Sequence, residues 1–321
     1  MKALIFTDNQ LKLAQIAVPE IGGEALIRVL KSGICNTDLE IMRGYAGFSG
    51  TIGHEFVGVV ERADNKPELI GKRVVGEINA GCGVCDLCRK EDARHCANRT
   101  VLGIHGRDGA HAEFTTLPVV NLLEVPANVS DGQAVFTEPL AAAFGITEQI
   151  EITPETKIAV IGDGKLGLLC AMSLALKTAN VSLIGKHIEK LSVVKKRNIE
   201  TVLLSDAVPK LNRRFDVAVE ASGSESGFAT ALDLLKPQGK LVLKSTFQGR
   251  TNLEMWRVVV DEITIVGSRC GRFAPALKLL ESGAIDVESL ISEELPLENG
   301  VAAMQRASRK GVMKVLLSMT S

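Results

Sequence analysis

The second half of this 321-residue chain contains a series of short apolar runs, each separated from the next by helix-like sequence. The runs at 157–161 and 181–184 carry β-branched and other apolar residues at nearly every position, whereas half-exposed strands alternate apolar and polar residues. Strands that are buried on both faces and joined by crossover helices produce this alternation. The pattern therefore predicts a doubly wound, parallel α/β domain.

A glycine-rich turn follows the first of these runs. Gly162, Gly164 and Gly167 form the pattern G-x-G-x-x-G, directly after a strand and at the start of a helix. The first glycine permits the tight turn, the second lets the backbone approach a pyrophosphate, and the third lets the helix pack on the strand. The turn, with Lys165 and Leu166 at its helix N-terminus, predicts a dinucleotide site, and a purely structural turn is the alternative.

The end of the second strand bears on which dinucleotide is bound. NAD sites usually place Asp or Glu there to bind the ribose 2′-hydroxyl, but this chain has Gly185, Lys186 and His187. Glycine leaves room and lysine supplies charge for a 2′-phosphate, so the pattern favours NADP(H) over NAD(H). A solvated lysine after a simple turn is the alternative. Asp163, inside the glycine turn, would repel a pyrophosphate unless its side chain points away.

The first part of the chain has a different character. Up to about residue 135 its apolar runs are short and separated by Gly, Asn and Pro, which indicates strands joined by turns. A helix and a last short strand follow residue 271. We therefore expect a β-rich domain over 1–140, an α/β domain over 141–271 and a C-terminal segment, 272–321, that returns to the first domain.

Composition narrows the class of protein. Hydrophobic residues make up 46% of the chain and charged residues 23%, as in globular proteins. The formal net charge is -1 and no apolar run is long enough to span a bilayer, so neither a nucleic-acid partner nor a membrane is expected. The N-terminus indicates a first strand rather than a secretory signal, which favours a cytoplasmic protein.

Four of the seven cysteines lie in one short, charged stretch at about 80–100. Cys82, Cys85, Cys88 and Cys96 are spaced so that their thiolates can surround one tetrahedral ion, which is typical of structural zinc. A pair of disulfides is the alternative, and an intracellular location disfavours it. A closed set of four thiolates leaves no position for a substrate, so the reaction must take place elsewhere.

Two further segments contain potential metal ligands, Cys35 and His54. Taken alone, such a cysteine is more often a small buried residue, and such a histidine is more often part of a hydrogen-bonded structure. Together with the other features, however, the motifs G-I-C-x-T-D-L, G-H-E-x-x-G, C-x2-C-x2-C-x7-C, E-P-L and G-x-G-x-x-G follow one another along the chain. In this order they resemble the zinc-containing medium-chain dehydrogenase/reductase superfamily, the alcohol/polyol dehydrogenase-like group.

The resemblance implies a GroES-like catalytic domain interrupted by a Rossmann domain, and a catalytic zinc ion besides the structural one. Cys35 and His54 would be zinc ligands, with Glu138 as the third ligand and Glu55 as a residue that can exchange with it. The alternative for Glu138 is a carboxylate that stabilises a helix N-terminus. Thr37 resembles the residue whose hydroxyl passes on the proton of the alcohol.

The resemblance also implies a reaction. An alcohol or polyol and its aldehyde or ketone would be interconverted by hydride transfer to or from NADP(H), with zinc as the Lewis acid. Asn36 stands where several members have a histidine that continues the proton relay, so the route of the proton is open. Ser245, after another strand, would flank the ribose and nicotinamide.

The resemblance also implies partners, and the sequence allows two alternative functions. The partners implied by the resemblance are a small alcohol or carbonyl compound and further copies of the chain in a homodimer or homotetramer. One alternative function is an NADP(H)-binding redox sensor without catalysis. The other is a zinc-independent enone or quinone reductase, whose relatives generally lack the ligands found here. The zinc content of the protein separates these possibilities.

Overall fold

The computed structural model describes residues 1–195, 197–246 and 254–319. The chain divides into two compact units, Met1–Glu138 with Phe273–Ser321, and Pro139–Arg272. The strands are β1 (Lys2–Thr7), β2 (Gln10–Gln15), β3 (Ala25–Gly33), β4 (Gly50–Thr51), β5 (Glu55–Ala63), β6 (Arg73–Gly76), β7 (Asn79–Ala80), β8 (Thr100–Val101), β9 (Phe114–Leu117), β10 (Leu122–Glu124), β11 (Ile158–Ile161), β12 (Val181–Gly185), β13 (Glu200–Leu203), β14 (Phe215–Glu220), β15 (Leu235–Leu243), β16 (Thr264–Gly267), β17 (Ile291–Pro296) and β18 (Lys314–Ser318).

The α-helices are α1 (Asn36–Ile41), α2 (Asp86–Arg89), α3 (Asp131–Ala134), α4 (Thr137–Phe144), α5 (Ile146–Gln149), α6 (Lys165–Leu174), α7 (Ile188–Lys195), α8 (Leu204–Leu211), α9 (Glu225–Leu234), α10 (Met255–Val260), α11 (Phe273–Glu281) and α12 (Gly300–Ala307). Short 3-10 turns connect several of these elements. Within the described ranges, no helix is both long enough and apolar enough to pass through a membrane.

The first unit is built on a largely antiparallel sheet in the order β10-β6-β5-β3-β18-β17, with β9 also paired to β3. β18, from the end of the chain, pairs with β3 through Leu316 opposite Gly33. On its other side β3 pairs with β5, and Gly33 lies opposite Glu55. The apolar side chains of β1 and β18, among them Leu4 and Val315, belong to one buried core. The sheet therefore holds the end of β3 beside the start of β5.

Within this unit, residues 79–101 form a small segment, hereafter the cysteine lobe. It begins and ends with the short antiparallel pair β7 and β8, in which Asn79 lies opposite Val101. The helix α2 and the four cysteines lie between these strands in the sequence. This pairing brings the ends of the lobe together.

The second unit contains the parallel sheet that the apolar runs predict. Its order is β13-β12-β11-β14-β15-β16, and every neighbouring pair is parallel. β11 and β12 are buried along their whole length, as their near-continuous apolar sequences require. The strand order reverses beside β11, which is the point where sheets of this kind bind dinucleotides. The predicted combination of a Rossmann sheet with a β-rich domain is confirmed.

Candidate functional site

A cysteine, a histidine and a glutamate converge where β3 ends and β5 begins. Cys35 is the N-cap of α1, His54 directly precedes β5, and Glu55 is the first residue of β5. One ligand atom of each residue lies within 4.8 Å of the other two. His54 and Glu55 are only 3% and 0% exposed, so they face the protein interior rather than solvent. This group is hereafter the Cys35 cluster.

Two glycines allow these segments to approach each other. A Cβ on Gly33 would lie 2.6 Å from Oε2 of Glu55 and 2.7 Å from a methyl group of Val135. Gly53 has a φ of +100°, and a Cβ there would lie 2.5 Å from the imidazole ring of His111. The glycine that begins each motif is therefore required by backbone conformation or by close packing.

Asp38 is a fully buried carboxylate beside the Cys35 cluster. Its Oδ2 accepts a 2.7 Å hydrogen bond from the backbone N–H of Cys35. Its Oδ1 lies 3.4 Å from Nδ1 of His54, and its Oδ2 lies 3.6 Å from Nε2 of His111. Burial raises the pKa of Asp38, but the two histidines outweigh burial and hold that pKa well below its usual range. Asp38 therefore stays ionised and places a negative charge beside Nδ1 of His54, which has no hydrogen-bond partner among the described residues.

The sequence motifs assign no role to Asp38 or His111. The signal for Asp38 is its position three residues after Cys35, a spacing at which a carboxylate can accept the N-cap backbone N–H of a helix. His111 is fully buried and its Nδ1 pairs with the hydroxyl of Ser32 at 2.8 Å. It lies outside the recognised motifs, so the sequence offers no comparable signal for it.

Glu55 is paired with a fully buried lysine of the last strand. Nζ of Lys314 donates to Oε2 of Glu55, and it lies 3.5 Å from the carbonyl oxygen of Ile34 and 5.5 Å from the ring centroid of Phe136. Burial lowers the pKa of Lys314, but Glu55 and Cys35 raise it above its ordinary value, so the lysine stays charged. The other oxygen of Glu55, Oε1, is buried and has no hydrogen-bond partner among the described residues.

Glu138, the predicted third ligand, is a partly exposed residue in the first turn of α4. It does not belong to the group whose ligand atoms meet within 4.8 Å. Its charge acts on Lys314, whose pKa it helps to raise. Of the two carboxylates weighed from the sequence, Glu55 is the one that joins Cys35 and His54 here, and Glu138 as a ligand stays a prediction.

The predicted proton-transfer residue lies next to the cluster. The hydroxyl of Thr37 is 3.7 Å from Sγ of Cys35. Asn36, the first residue of α1, has an amide side chain that neither gains nor loses a proton near neutral pH. The position of Thr37 suits a hydroxyl that exchanges a proton with a group bound at the cluster.

The donor chemistry of the Cys35 cluster fits a zinc ion. Thiolate, imidazole and carboxylate are the ligand types that zinc takes in proteins. Burial lowers the pKa of His54, but Asp38 and Cys35 raise it well above its ordinary value. The same negative surroundings favour a divalent cation. Such a cation would also satisfy the unpartnered Oε1 of Glu55.

The four cysteines of the lobe form a second group. The sulfurs of Cys82, Cys85, Cys88 and Cys96 lie within 4.8 Å of one another, and all four thiols are free. Backbone N–H groups, that of Val84 first, lower the pKa of Cys82 to about 6. Partial burial raises the pKa of Cys88 to about 11. Four sulfurs this close ionise together only around a cation, and four thiolates are a typical closed zinc site.

The glycine turn of the second unit has the predicted form. Gly162 has a φ of +124°, and a Cβ on Gly167 would lie 1.9 Å from the carbonyl oxygen of Gly162. A Cβ on Gly164, the N-cap of α6, would meet nothing within 4 Å. Lys165 and Leu166, the first residues of α6, are partly exposed. The turn is thus tight where it packs and open at the helix N-terminus, as phosphate binding requires.

Asp163 points away from the open side of this turn and toward the end of β12. Its Oδ2 accepts hydrogen bonds of 2.6 Å from the backbone N–H of Lys186 and 2.7 Å from that of His187. A Cβ on Gly185 would lie 2.5 Å from Cβ of Asp163. Burial raises the pKa of Asp163, but the N–H groups of His187 and Lys186 outweigh burial and lower it. The room predicted for a 2′-phosphate at Gly185 is thus filled by this side chain.

The remaining predicted cofactor residue, Ser245, follows β15. A Cβ on Gly223, which follows β14, would lie 3.7 Å from Cβ of Ser245. Oε1 of Glu220 accepts hydrogen bonds from the backbone N–H groups of Ser222 and Gly223, at 2.7 and 3.0 Å. Ser245 and this loop therefore lie near each other at the carboxyl ends of parallel strands, the edge where dinucleotides bind.

Two family models match the chain. Residues 22–127 match the alcohol dehydrogenase GroES-like domain, and residues 166–282 match the zinc-binding dehydrogenase family. The L-threonine 3-dehydrogenase of Chelativorans sp. (strain BNC1) is 31% identical to this chain, over 95% of the chain and 96% of the relative.

Two solved structures are similar over nearly the whole chain. A zinc-binding dehydrogenase from Sinorhizobium meliloti 1021, bound to NADP, has 26% identity and a TM-score of 0.89, and covers 99% of this chain and 98% of its own. The alcohol dehydrogenase RspB from E. coli CFT073, complexed with NADH, has 26% identity and a TM-score of 0.89, and covers 99% of both chains. The fold thus occurs with either dinucleotide, so local residues must decide between them.

Proposed function

Because this chain belongs to the zinc-binding dehydrogenases with an alcohol dehydrogenase GroES-like domain, we propose that it is a zinc-dependent oxidoreductase of a small alcohol. It interconverts an alcohol or polyol and its aldehyde or ketone by hydride transfer to or from a nicotinamide dinucleotide. The Cys35 cluster carries this proposal, since three zinc-type ligand atoms lie within 4.8 Å of one another. A zinc-independent reductase would have no use for that group.

Cys35 and His54 hold the catalytic zinc ion in this proposal, and Glu138 or Glu55 completes the protein ligands. When bound, the ion supplies a Lewis acid that eases removal of the alcohol proton. Asp38 contributes a buried negative charge beside the His54 ring, whose Nδ1 lies 3.4 Å from its carboxylate.

Thr37 is the residue proposed to move the proton. Its hydroxyl, 3.7 Å from Sγ of Cys35, can accept the substrate proton while giving up its own. Asn36 cannot continue this relay, so the proton leaves through water or through a ribose hydroxyl of the cofactor.

The dinucleotide is proposed to bind at the edge of the parallel sheet formed by the glycine turn. Gly164 and the N-terminus of α6 receive the pyrophosphate, with Lys165 and Leu166 beside it. The sequence favours NADP(H) through Gly185, Lys186 and His187. Because Asp163 fills the space at Gly185, we expect Asp163 to decide the choice between NADP(H) and NAD(H).

The cysteine lobe holds a second, structural zinc ion in this proposal, which gives two zinc ions per chain. All seven cysteines are free thiols, and free thiols persist in a reducing compartment, which supports a cytoplasmic location.

The protein is also proposed to form a homo-oligomer, in which an exposed sheet edge forms the contact between copies of the chain.

Metal content and turnover test the catalytic assignment together. The wild-type protein should contain two zinc ions per chain and should turn over members of a panel of alcohols and polyols with NAD⁺ or NADP⁺. Cys35→Ala should retain one zinc ion and lose turnover, while dinucleotide binding, followed by nucleotide fluorescence, is unchanged. Cys270→Ala removes a thiol outside both groups and should keep both zinc ions.

Retained turnover in Cys35→Ala would contradict the zinc mechanism. A wild-type protein that binds one zinc ion and a dinucleotide but oxidises no alcohol would instead support the non-catalytic sensor.

A further inference from the structure

Asp163 occupies an unusual place in a dinucleotide-binding turn. It stands between the first two glycines, yet its side chain reaches the end of the neighbouring strand β12. The register explains how, because Ile161, the last residue of β11, lies beside Ile184 in β12. The residue after the turn's first glycine therefore lies next to Gly185. Asp163 is only 8% exposed, so its carboxylate is held in this place.

Position 185 requires glycine because the side chain of Asp163 packs directly against it. Its φ lies outside the left-handed region, so the backbone alone does not demand glycine. The three atoms nearest to a Cβ built on Gly185 all belong to Asp163, at 2.5 to 2.8 Å. The acidic side chain that NAD sites usually carry at the end of the second strand is absent here, and a carboxylate from the glycine turn fills its place.

The carboxylate of Asp163 can accept a further hydrogen bond. Oδ2 contacts the N–H groups of Lys186 and His187 and the imidazole Nδ1 of His187. Among the described residues, Oδ1 has only that Nδ1 as a partner, at 3.2 Å. An ionised carboxylate has about four acceptor positions, so Oδ1 can accept a hydroxyl hydrogen bond. A phosphate at the same place would meet a like charge, and the backbone N–H groups that could bind it already serve Asp163.

We propose that Asp163 recognises the adenosine ribose of the dinucleotide through its 2′-hydroxyl and makes this chain prefer NAD(H) to NADP(H). This inference rests on the proposed function only in requiring that the glycine turn binds a dinucleotide. The exposed side chain of Lys186 carries a positive charge that would favour a 2′-phosphate. That charge does not free the backbone N–H groups, which are already hydrogen-bonded to Asp163.

Direct binding measurements test the proposal without turnover. Titration calorimetry with NADH, NADPH and 2′-deoxy-NADH should show that the wild-type protein binds NADH at least about tenfold more tightly than either other ligand, the factor expected for a hydrogen bond to a charged group. Asp163→Asn should lose most of the discrimination against NADPH and bind NADH and 2′-deoxy-NADH more equally. Asp206→Asn removes an exposed carboxylate of α8 and should retain the wild-type preference.

A paired exchange separates the charge from the local packing. Gly185→Asp alone places its Cβ against Asp163 and should weaken binding of both dinucleotides. Asp163→Gly combined with Gly185→Asp moves the carboxylate to the strand end and should restore a preference for NADH.

The outcomes distinguish the proposal from its premise. Tighter binding of NADPH by the wild-type protein overturns the role of Asp163 while leaving the dinucleotide site intact. An equal loss of affinity for NADH and NADPH in Asp163→Asn also overturns it, because a merely structural carboxylate would produce that result. Binding of neither dinucleotide by the wild-type protein would defeat the dinucleotide site itself.

Discussion

Lys314 and Glu55 form a completely buried ion pair beside the candidate metal centre, with both side chains 0% exposed. Removal of one partner from a buried pair leaves the other charge unpaired, which costs about 3–5 kcal/mol of folding free energy. Lys314→Met should therefore lower the free energy of unfolding by about that amount, and Lys314→Met with Glu55→Gln should recover most of it. Urea unfolding of the zinc-free proteins measures both effects, because a bound cation would itself compensate for the charge of Glu55.

A surface pair provides the control. Lys31 contacts Glu294 at 2.6 Å on a partly exposed face, so Lys31→Met should change stability far less than Lys314→Met. Equal urea midpoints for Lys314→Met and the wild-type protein would show that the buried pair does not hold Glu55.

Residue identities at the candidate metal centre could be predicted from the sequence, but the pairing of Lys314 with Glu55 could not. Cys35 and His54 stand in recognisable motifs, and the structure brings them together. Lys314 lies 259 residues after its partner Glu55, and nothing local marks it as buried rather than solvated. Only the pairing of β18 with β3 places that lysine beside the cluster.

At the level of elements, the cysteine lobe is held by the short β7–β8 pair, by local backbone hydrogen bonds such as that from the N–H of Asp92 to the carbonyl oxygen of Leu87, and by the four clustered thiols. A zinc ion held only in the folded lobe contributes its binding energy to that fold. Cys96→Ser should therefore release one zinc ion and open the lobe, so that trypsin cuts at the exposed Arg89 or Lys90. Limited proteolysis with mass spectrometry locates the cut.

Chelation of zinc from the wild-type protein should expose the same cleavage sites. Cys35→Ala serves as the matched variant, since it removes a thiol from the other group and should leave the lobe resistant. Cleavage at equal rates in Cys96→Ser and the wild-type protein would contradict a stabilising role for this site.

The elements of the parallel sheet were predictable because each is encoded locally. Apolar runs predict buried strands, and three glycines in fixed spacing predict the turn after β11. The contact between Asp163 and Gly185 is different, since it depends on the register of two strands and on which way a turn side chain points. The sequence therefore predicts free space at Gly185, whereas the structure places the carboxylate of Asp163 in that space.

At the scale of the whole molecule, the sheet of the second unit has a conspicuously apolar edge. β16 pairs with β15 on one side, and no strand among the described residues pairs with its other side. Ile265 in β16 is 37% exposed, and the preceding helix α10 exposes Trp256 and Val259 by 62% and 70%. Unpaired edges of this kind readily pair with another chain, and a two-fold axis would bring β16 against β16 of a second copy.

We therefore expect a homodimer that depends on this edge. Ile265→Lys places a charge in the contact and should halve the mass measured by light scattering at micromolar concentration, or reduce a tetramer to dimers. Val120→Lys alters an 87% exposed residue of the first unit and should leave the mass unchanged. Trp256 in α10 is the only tryptophan, and it is 62% exposed in the single chain. A dimer contact that also covers α10 would shield it, so its emission should shift to longer wavelength in Ile265→Lys. An unchanged mass and emission in Ile265→Lys would place the contact elsewhere, because a charged side chain cannot be buried in a sheet edge without a partner.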